Sequence, residues 1–204
     1  AWNIRVWADG DPGEDALEED ADQSAIVGRV YVRGAPQGWA LERFLADGPL
    51  ALLPDQSPQS MQLVWCANTS QSESRLRTLR GGPGRSGEQS LLRELGMALP
   101  KGIELTAIDP GLQCVRLKRR ARAQILQICP EDRQVDVWIA NAAQSLHPVA
   151  GQGLNLGLRD AAELARCLVT IQHTERQSET PQANRMIGLL RRFEEHRQRD
   201  RWLL

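Results

Sequence analysis

The hydrophobic pattern changes period along the chain. Asn3 to Ala8 alternates weakly and ends at Asp9-Gly10, a strand running into a turn. Trp39 to Pro54 reads as a strand, a turn at Asp47-Gly48-Pro49 and a returning strand from Leu50 to Leu53, and Met61 to Ala67 as another strand. Together they predict an antiparallel sheet over much of residues 25 to 67, with one face able to pack on helices. A short helix is expected over Glu73 to Leu79. A longer one covers Glu88 to Leu99, with Leu91, Leu92, Leu95 and Leu99 in register. Residues 112 to 128 alternate again and carry basic side chains, as strands would. Val135 to Ile139, rich in β-branched and aromatic residues, predicts a buried strand. From Leu154 to Val169 the period is helical: Leu154, Leu158, Ala161, Ala165 and Leu168 make one apolar face, and Arg159, Asp160, Glu163 and Arg166 fall on the other side. Beyond a polar link over Gln172 to Gln182, Asn184 to Leu204 predicts a second helix with Met186, Leu189, Leu190 and Phe193 on one side.

Between the strand at Val135 and the helix at Leu154 lies a loop of about a dozen residues, longer than a simple connection requires, containing His147, Pro148, Gly151 and Gly153. Glycines before a helix start make an anion site, because the first N–H groups lack partners, the dipole is positive there, and a ligand can reach the backbone. A plain strand-turn-helix crossover is the other reading. Gly151, Gly153 and Gly157 also approximate a dinucleotide fingerprint, but that motif needs a tight turn directly after its strand and a second strand after its helix. Neither is present. The glycine-rich run Gly81 to Gly87 lacks the GK[ST] ending of a phosphate loop and reads as a flexible surface loop.

Composition narrows the class. Among 204 residues, 41% hydrophobic and 25% charged, the formal net charge is -1. This excludes nucleic-acid binding driven by bulk electrostatics. The acid-rich run Asp11 to Asp22 and the arginine-rich run Arg185 to Arg201 are expected to be a solvated loop and a solvated helix face. Cys66, Cys114, Cys129 and Cys167 are scattered without a CxxC pair, which suggests neither a zinc site nor a disulfide scaffold and fits a reducing compartment. No apolar run approaches the ~18 to 20 residues of a membrane span. A cytoplasmic protein is expected, at most peripheral to the inner membrane. Strand-like sequence directly after Ala1, and a helix without a terminator at Leu204, suggest a chain that begins inside a domain and is cut at its end.

The run from Asn141 to Asp160, NAAQSLHPVAGQGLNLGLRD, resembles the second flavin motif of the FAD-dependent aromatic hydroxylases, specifically the UbiH-type branch of ubiquinone biosynthesis. The resemblance implies that Asn141, standing where most members have the Asp of a Gly-Asp pair, contacts the ribityl chain of FAD. It places Pro148 and Gly151 in the flavin loop, and Gly153, Leu154 and Asn155 against the pyrimidine edge of the isoalloxazine. Ala8-Asp9-Gly10 resembles the family's ADG signature, in which Asp9 and Gly10 would close over FAD. Trp39 to Pro54 is a further match, to the sheet that floors the substrate pocket. Departures are visible. Ala140 replaces a glycine; Asp11 to Asp15 replaces a segment bearing Ser and Arg; Val115-Arg116-Leu117 stands for an aromatic-Pro-Leu triplet.

The implied fold is α+β: an antiparallel substrate-domain sheet with helices, plus the later part of an FAD-binding α/β domain, an incomplete PHBH-like flavoprotein monooxygenase fold. Residues 1–20 would be a remnant of the FAD-binding domain, 21–130 the substrate domain, and 131–204 the second flavin motif with C-terminal helices. The N-terminal βαβ unit with GxGxxG is absent from these residues. The implied activity is hydroxylation of a polyprenylated phenol, with FAD as cofactor and NAD(P)H as reductant, by a fragment or truncated form of the enzyme. Proteins of ubiquinone biosynthesis are implied partners, and the flavin, rather than a catalytic side chain, carries the chemistry. The alternative is a degenerate, non-catalytic member acting as a binding or scaffold subunit.

Overall fold

The computed structural model describes residues 2–57, 59–81, 86–146, 152–174 and 182–202. The chain divides into two compact units, one formed by residues 20–117 and the other by residues 1–19 with 118–204.

In the unit of residues 20–117, strands β2 (Leu17–Arg33), β3 (Leu41–Leu45), β4 (Gly48–Pro54), β5 (Ser60–Asn68) and β7 (Gln113–Ala121) lie in the order β7-β2-β5-β4-β3, with β6 (Glu104–Ile108) also paired to β2. The β2–β5, β3–β4 and β4–β5 pairs are antiparallel, as the alternating pattern predicts. Residues on one face, Ile26, Val30, Leu50, Leu52, Leu63 and Trp65, are buried against Leu76 of α1 (Thr69–Gly81) and Leu91 and Leu95 of α2 (Ser86–Gly96). Helix α1 starts four residues earlier than its apolar pattern suggested. Asn68 is the reason: its Oδ1 accepts hydrogen bonds from the Ser70 N–H at 3.0 Å and hydroxyl at 2.8 Å, capping the helix. The turn at Gly48 needs glycine, since φ is +146° and a Cβ would stand 2.3 Å from the Cys66 carbonyl oxygen. Arg75 stacks over Trp65 at 3.7 Å and pairs with Asp47 and Glu94, tying α1 to the β3–β4 turn and to α2.

The other unit is built on a three-stranded sheet in the order β1 (Asn3–Trp7), β9 (Gln134–Trp138), β8 (Leu126–Cys129). Strands β1 and β9 are parallel, β8 and β9 antiparallel. Val135 and Val137 are fully buried against Leu164 and Ile171 of α4 (Gln152–Thr174) and Met186, Leu190 and Phe193 of α5 (Gln182–Trp202). Between the valines, on the opposite face, Asp136 is buried as well, beneath the side chains that bond it. Its carboxylate accepts bonds from Arg5 at 2.6 and 2.9 Å, from Trp7 Nε1 at 3.2 Å and from Gln134 Nε2 at 3.0 Å.

Two sequence expectations are corrected in this unit. The predicted apolar face of α4 is largely its exposed face: Leu154 and Leu158 are 73% and 60% exposed, and Ala161 and Ala165 are exposed too. The buried stripe is instead Leu156, Asp160, Leu164 and Ile171. Asp160 belongs there because Arg197 of α5, itself fully buried, donates to it at 2.6 Å. The acid-rich segment is largely exposed, but it is a loop only as far as Ala16. Residues from Leu17 onward form β2, and Glu18 pairs with Lys118 at 2.5 Å and Arg120 at 3.3 Å, while Asp11 pairs with Arg120. Charge runs a hundred residues apart neutralise one another as ion pairs, an arrangement invisible to a local pattern.

The connection after β9 contains a single helical turn, α3 (Ala140–Ala143), and a two-residue strand, β10 (Gln144–Ser145), which pairs with β7 at Arg120 and Ala121. Ala140 has φ +51°, a left-handed conformation costly for any residue with a Cβ. Its methyl is directed at Gly157 of α4, where an added Cβ would lie 3.0 Å away.

Two predictions follow from this packing. Hydrogen bonding to Arg5 above all, opposed by burial and reinforced by Trp7 and Gln134, holds the Asp136 carboxyl below its usual range. A lowered folded-state value contributes stability above the unfolded value, near 4, which is lost as pH falls through the folded one. Asp136→Asn should therefore cost about 1 to 2 kcal/mol at pH 7, toward the low end because Arg5 is half exposed, and should flatten the decline of the urea midpoint below about pH 4. At the second site, Ala140→Gly should stabilise by about 0.5 to 1 kcal/mol. Gly157→Ala should cost at least about 1 kcal/mol more in the wild-type background than in Ala140→Gly, where the methyl contact is gone; a double-mutant cycle of urea unfolding measures the coupling.

Candidate functional site

The parallel register of β1 and β9 sets Trp7 beside Trp138, and the Ile139 N–H donates to the Trp7 carbonyl at 2.9 Å. Both strands thus end at one edge of the sheet. Asp9 and Gly10 follow directly from β1, and Ala140 and Asn141 directly from β9. Crevices outside the carboxyl ends of parallel strands are where open α/β sheets receive ligands. Asp9, Gly10 and Asn141 are all exposed there, with Gly10 at φ +90° and nothing within 4 Å of where its Cβ would be.

Helix α4 brings its first turn to the same place. Gly157 touches Ala140, and Gly153 precedes it by one helical turn, about 6 Å along the axis. A Cβ built on Gly153 meets nothing within 4 Å, and Leu154 and Asn155 are exposed. The helix begins at Gln152, so the free N–H groups and the positive end of its dipole lie at Gly153 to Asn155. Pro148 and Gly151, with His147, lie outside the described residues. Of the residues singled out from sequence, Asp9, Gly10, Asn141, Gly153, Leu154 and Asn155 therefore share one end of one unit.

The turn itself is held from behind. The Ala140 N–H donates to Asp160 Oδ2 at 2.9 Å, and Asp160 Oδ1 accepts from Arg197 Nε at 2.6 Å. Arg197 also donates to Asp200 at 2.7 Å and Glu163 at 3.4 Å. Neither Asp160 nor Arg197 stood out in the sequence. The available signal was an acid flanked at i−4 and i+4 by Leu156 and Leu164, a position inside the apolar stripe.

The departures from the flavin pattern also find their places. The Ala140 methyl packs on Gly157 instead of standing at a cofactor. The segment after Asp9-Gly10, which carries no arginine of its own, is gripped by two from elsewhere in the chain. Arg120 pairs with Asp11 and donates to the Gly13 carbonyl at 2.8 Å, and Arg122 donates to the Pro12 carbonyl at 2.6 Å while lying 4.2 Å over the Trp138 ring. The Asp11 carboxyl is held below its usual range, first by the Gly13 N–H and then, against burial, by Arg120. Pockets of about 280 and 260 Å³ adjoin Arg122 and Ala123, but none of the predicted site residues lines either one. No group of His, Cys, Asp or Glu able to hold a metal occurs among the described residues.

No profile of a known protein family matches the chain. Individual relatives do. It is 33% identical over 153 residues to the ubiquinone hydroxylase UbiL of Rhodospirillum rubrum, a match covering 74% of this chain and 32% of that protein. To the mitochondrial ubiquinone biosynthesis monooxygenase COQ6 of Xenopus tropicalis it is 28% identical over 176 residues, covering 76% of this chain and 38% of the relative. The chain thus spans about a third of the length of these relatives. In structure it is similar to the myxobacterial chondrochloren halogenase CndH, an FAD-dependent halogenase, with a TM-score of 0.63 at 16% identity over 96% of this chain and 44% of that one. That likeness carries the fold, the PHBH-like architecture of FAD-dependent monooxygenases. By sequence and fold together, the chain belongs, over the part of its relatives' length that it spans, to the UbiH-type family of FAD-dependent hydroxylases.

Proposed function

We propose that this chain forms the flavin-ring end of the cofactor site, and the substrate sheet, of an FAD- and NAD(P)H-dependent monooxygenase that hydroxylates a polyprenylated phenol in ubiquinone biosynthesis. The observation that carries this reading is the meeting of three elements at one edge: the ends of β1 and β9 and the glycine-bearing first turn of α4. Asn141 would hydrogen-bond the ribityl chain, with Asp9 and Gly10 alongside. Gly153, with open space above it, would let the backbone N–H groups of Gly153 to Asn155 reach the pyrimidine edge, where reduced flavin is negative and a helix N-terminus is stabilising. Pro148 and Gly151 complete the proposed loop. FAD, when bound, supplies the redox chemistry, with NAD(P)H as reductant.

The substrate would lie on the sheet face opposite α1 and α2. Part of that face is apolar, where Ala25, Val27, Val64, Cys66 and Leu117 cluster, and it turns polar at Arg29 and Gln62. Such a face suits a prenylated ring. No described helix is long and apolar enough to cross a membrane. Peripheral access from the cytoplasmic side to a membrane-borne substrate is part of the proposal. Association with other proteins of ubiquinone biosynthesis belongs to the same proposal.

A non-catalytic scaffold is the second reading. Arg116, in the place of the aromatic-Pro-Leu triplet, is bound to Asp20 at 2.9 Å and lies 3.7 Å from Asp22, so that position is committed to an ion pair.

The one GxGxxG spacing in the sequence, at Gly82, Gly84 and Gly87, follows helix α1 and not a strand, so no strand-turn-helix among the described residues carries that motif to grip the pyrophosphate. Losing two or three charge-assisted bonds, each worth roughly 1.5 to 3 kcal/mol, weakens binding about a hundredfold or more. Titrating FAD into the chain and following flavin fluorescence should therefore give weak, saturable binding without NADPH oxidation. Tight, stoichiometric binding with NADPH consumption would refute the reading of this chain as part of a site. No binding at all would favour the scaffold.

A further inference from the structure

From the hydrogen bonds behind the β9 turn, we infer that Asp160 and Arg197 are positioning residues for the cofactor-facing turn at Ala140-Asn141, an inference that rests on the flavin reading of that edge. The turn is intrinsically unfavourable. Ala140 sits at φ +51°, Ile139 before it is extended at φ -134°, and the single helical turn that follows has no side-chain cap. Something outside the turn must hold it.

Asp160 supplies the hold. Its Oδ2 takes the Ala140 N–H at 2.9 Å, a bond that orients that peptide plane from outside the turn. A carboxylate buried on α4 is costly to leave without partners. Arg197 compensates it. The guanidinium is fully buried and donates through Nε to the second oxygen of Asp160 at 2.6 Å, leaving Oδ2 free for the turn. Arg197 is aimed in turn by Asp200, one helical turn away on α5, and by Glu163 on α4. The chain of contacts therefore runs from α5 through α4 to the backbone of residue 140, one residue from the proposed ribityl contact. Gly157 completes it sterically, by leaving room for the Ala140 methyl against the same helix. Positioning of this kind acts on cofactor affinity through geometry, since a contact group displaced by an ångström loses most of its bond.

The test reads the turn and the cofactor separately on the 204-residue chain, using amide hydrogen exchange by NMR and FAD titration. In Asp160→Ala, exchange at the Ala140 amide should rise at least about tenfold more than at Val137, which lies in the neighbouring strand and reports overall stability. The FAD dissociation constant should rise at least about fivefold. Asp160→Asn, which keeps an acceptor and the size of the side chain, should retain most of the Ala140 protection, and Arg197→Lys should recover more of it than Arg197→Met. If Asp160→Ala is too unstable to study, the ordering of the other three variants carries the test. Equal acceleration at Ala140 and Val137, or Lys no better than Met at position 197, would overturn the inference with the flavin reading intact. Released exchange at Ala140 with unchanged FAD affinity would overturn the positioning role. FAD that leaves the Asn141 and Gly153 signals of the wild-type chain unmoved would instead overturn the flavin reading, and the assigned role with it.

Discussion

The parallel pairing of Asn3 to Trp7 with Gln134 to Trp138 is the constraint on which the rest of the site depends. It joins segments about 130 residues apart, and because the strands run the same way their ends must emerge on the same side. An antiparallel pair would have sent Asp9 and Asn141 to opposite edges. The pairing is secured by the Asp136 cluster as well as by the ladder, since Arg5 and Trp7 of one strand bond the carboxylate of the other. The carboxylate in the sheet thus locks the register in which the two motifs meet.

A second buried carboxylate, Asp160, works on the same edge from the helix side. Asp136 and Asp160 are alike in being buried, in being matched to an arginine, and in having each oxygen engaged. Satisfied groups of this kind add little net stability compared with an apolar pair but are costly to break, so they specify one arrangement over its neighbours. Closer to the surface, Arg120 and Arg122 do comparable work on the Asp11 to Gly13 segment. A chain that departs from its family's pattern after Asp9-Gly10 therefore still has that segment tied down, by side chains at the end of β7 and just beyond it.

What could be read from sequence was what depends on neighbours along the chain. Strand β9, the antiparallel meander from Ala25 to Ala67, and both long helices follow from period two and period 3.6, and the edge where Asn141 and Gly153 lie follows from a run of matching residues. What could not be read was set by partners far away. The rotation of α4 is one such case: counting apolar residues puts Leu154 and Leu158 inward, whereas the ion pair with Arg197 places Asp160 in the core and those leucines outside. The strand in the second half of the acidic run is hidden for the same reason, since its partners lie on β7. Asn68 is different: a cap residue before a helical run is a local signal, and it could have moved the start of α1 to its true place.

In the function proposed above, this chain recognises the flavin-ring end of the cofactor, while a strand-turn-helix grip for the adenylate end is lacking among the described residues. Amide chemical-shift mapping with separate halves of the cofactor tests it most directly. Riboflavin should shift the signals of Gly10, Asn141 and Gly153 to Asn155, and ADP at the same concentration should leave the spectrum unchanged. Shifts produced by ADP at that edge, or by riboflavin only at residues of the 20–117 unit, would contradict the account.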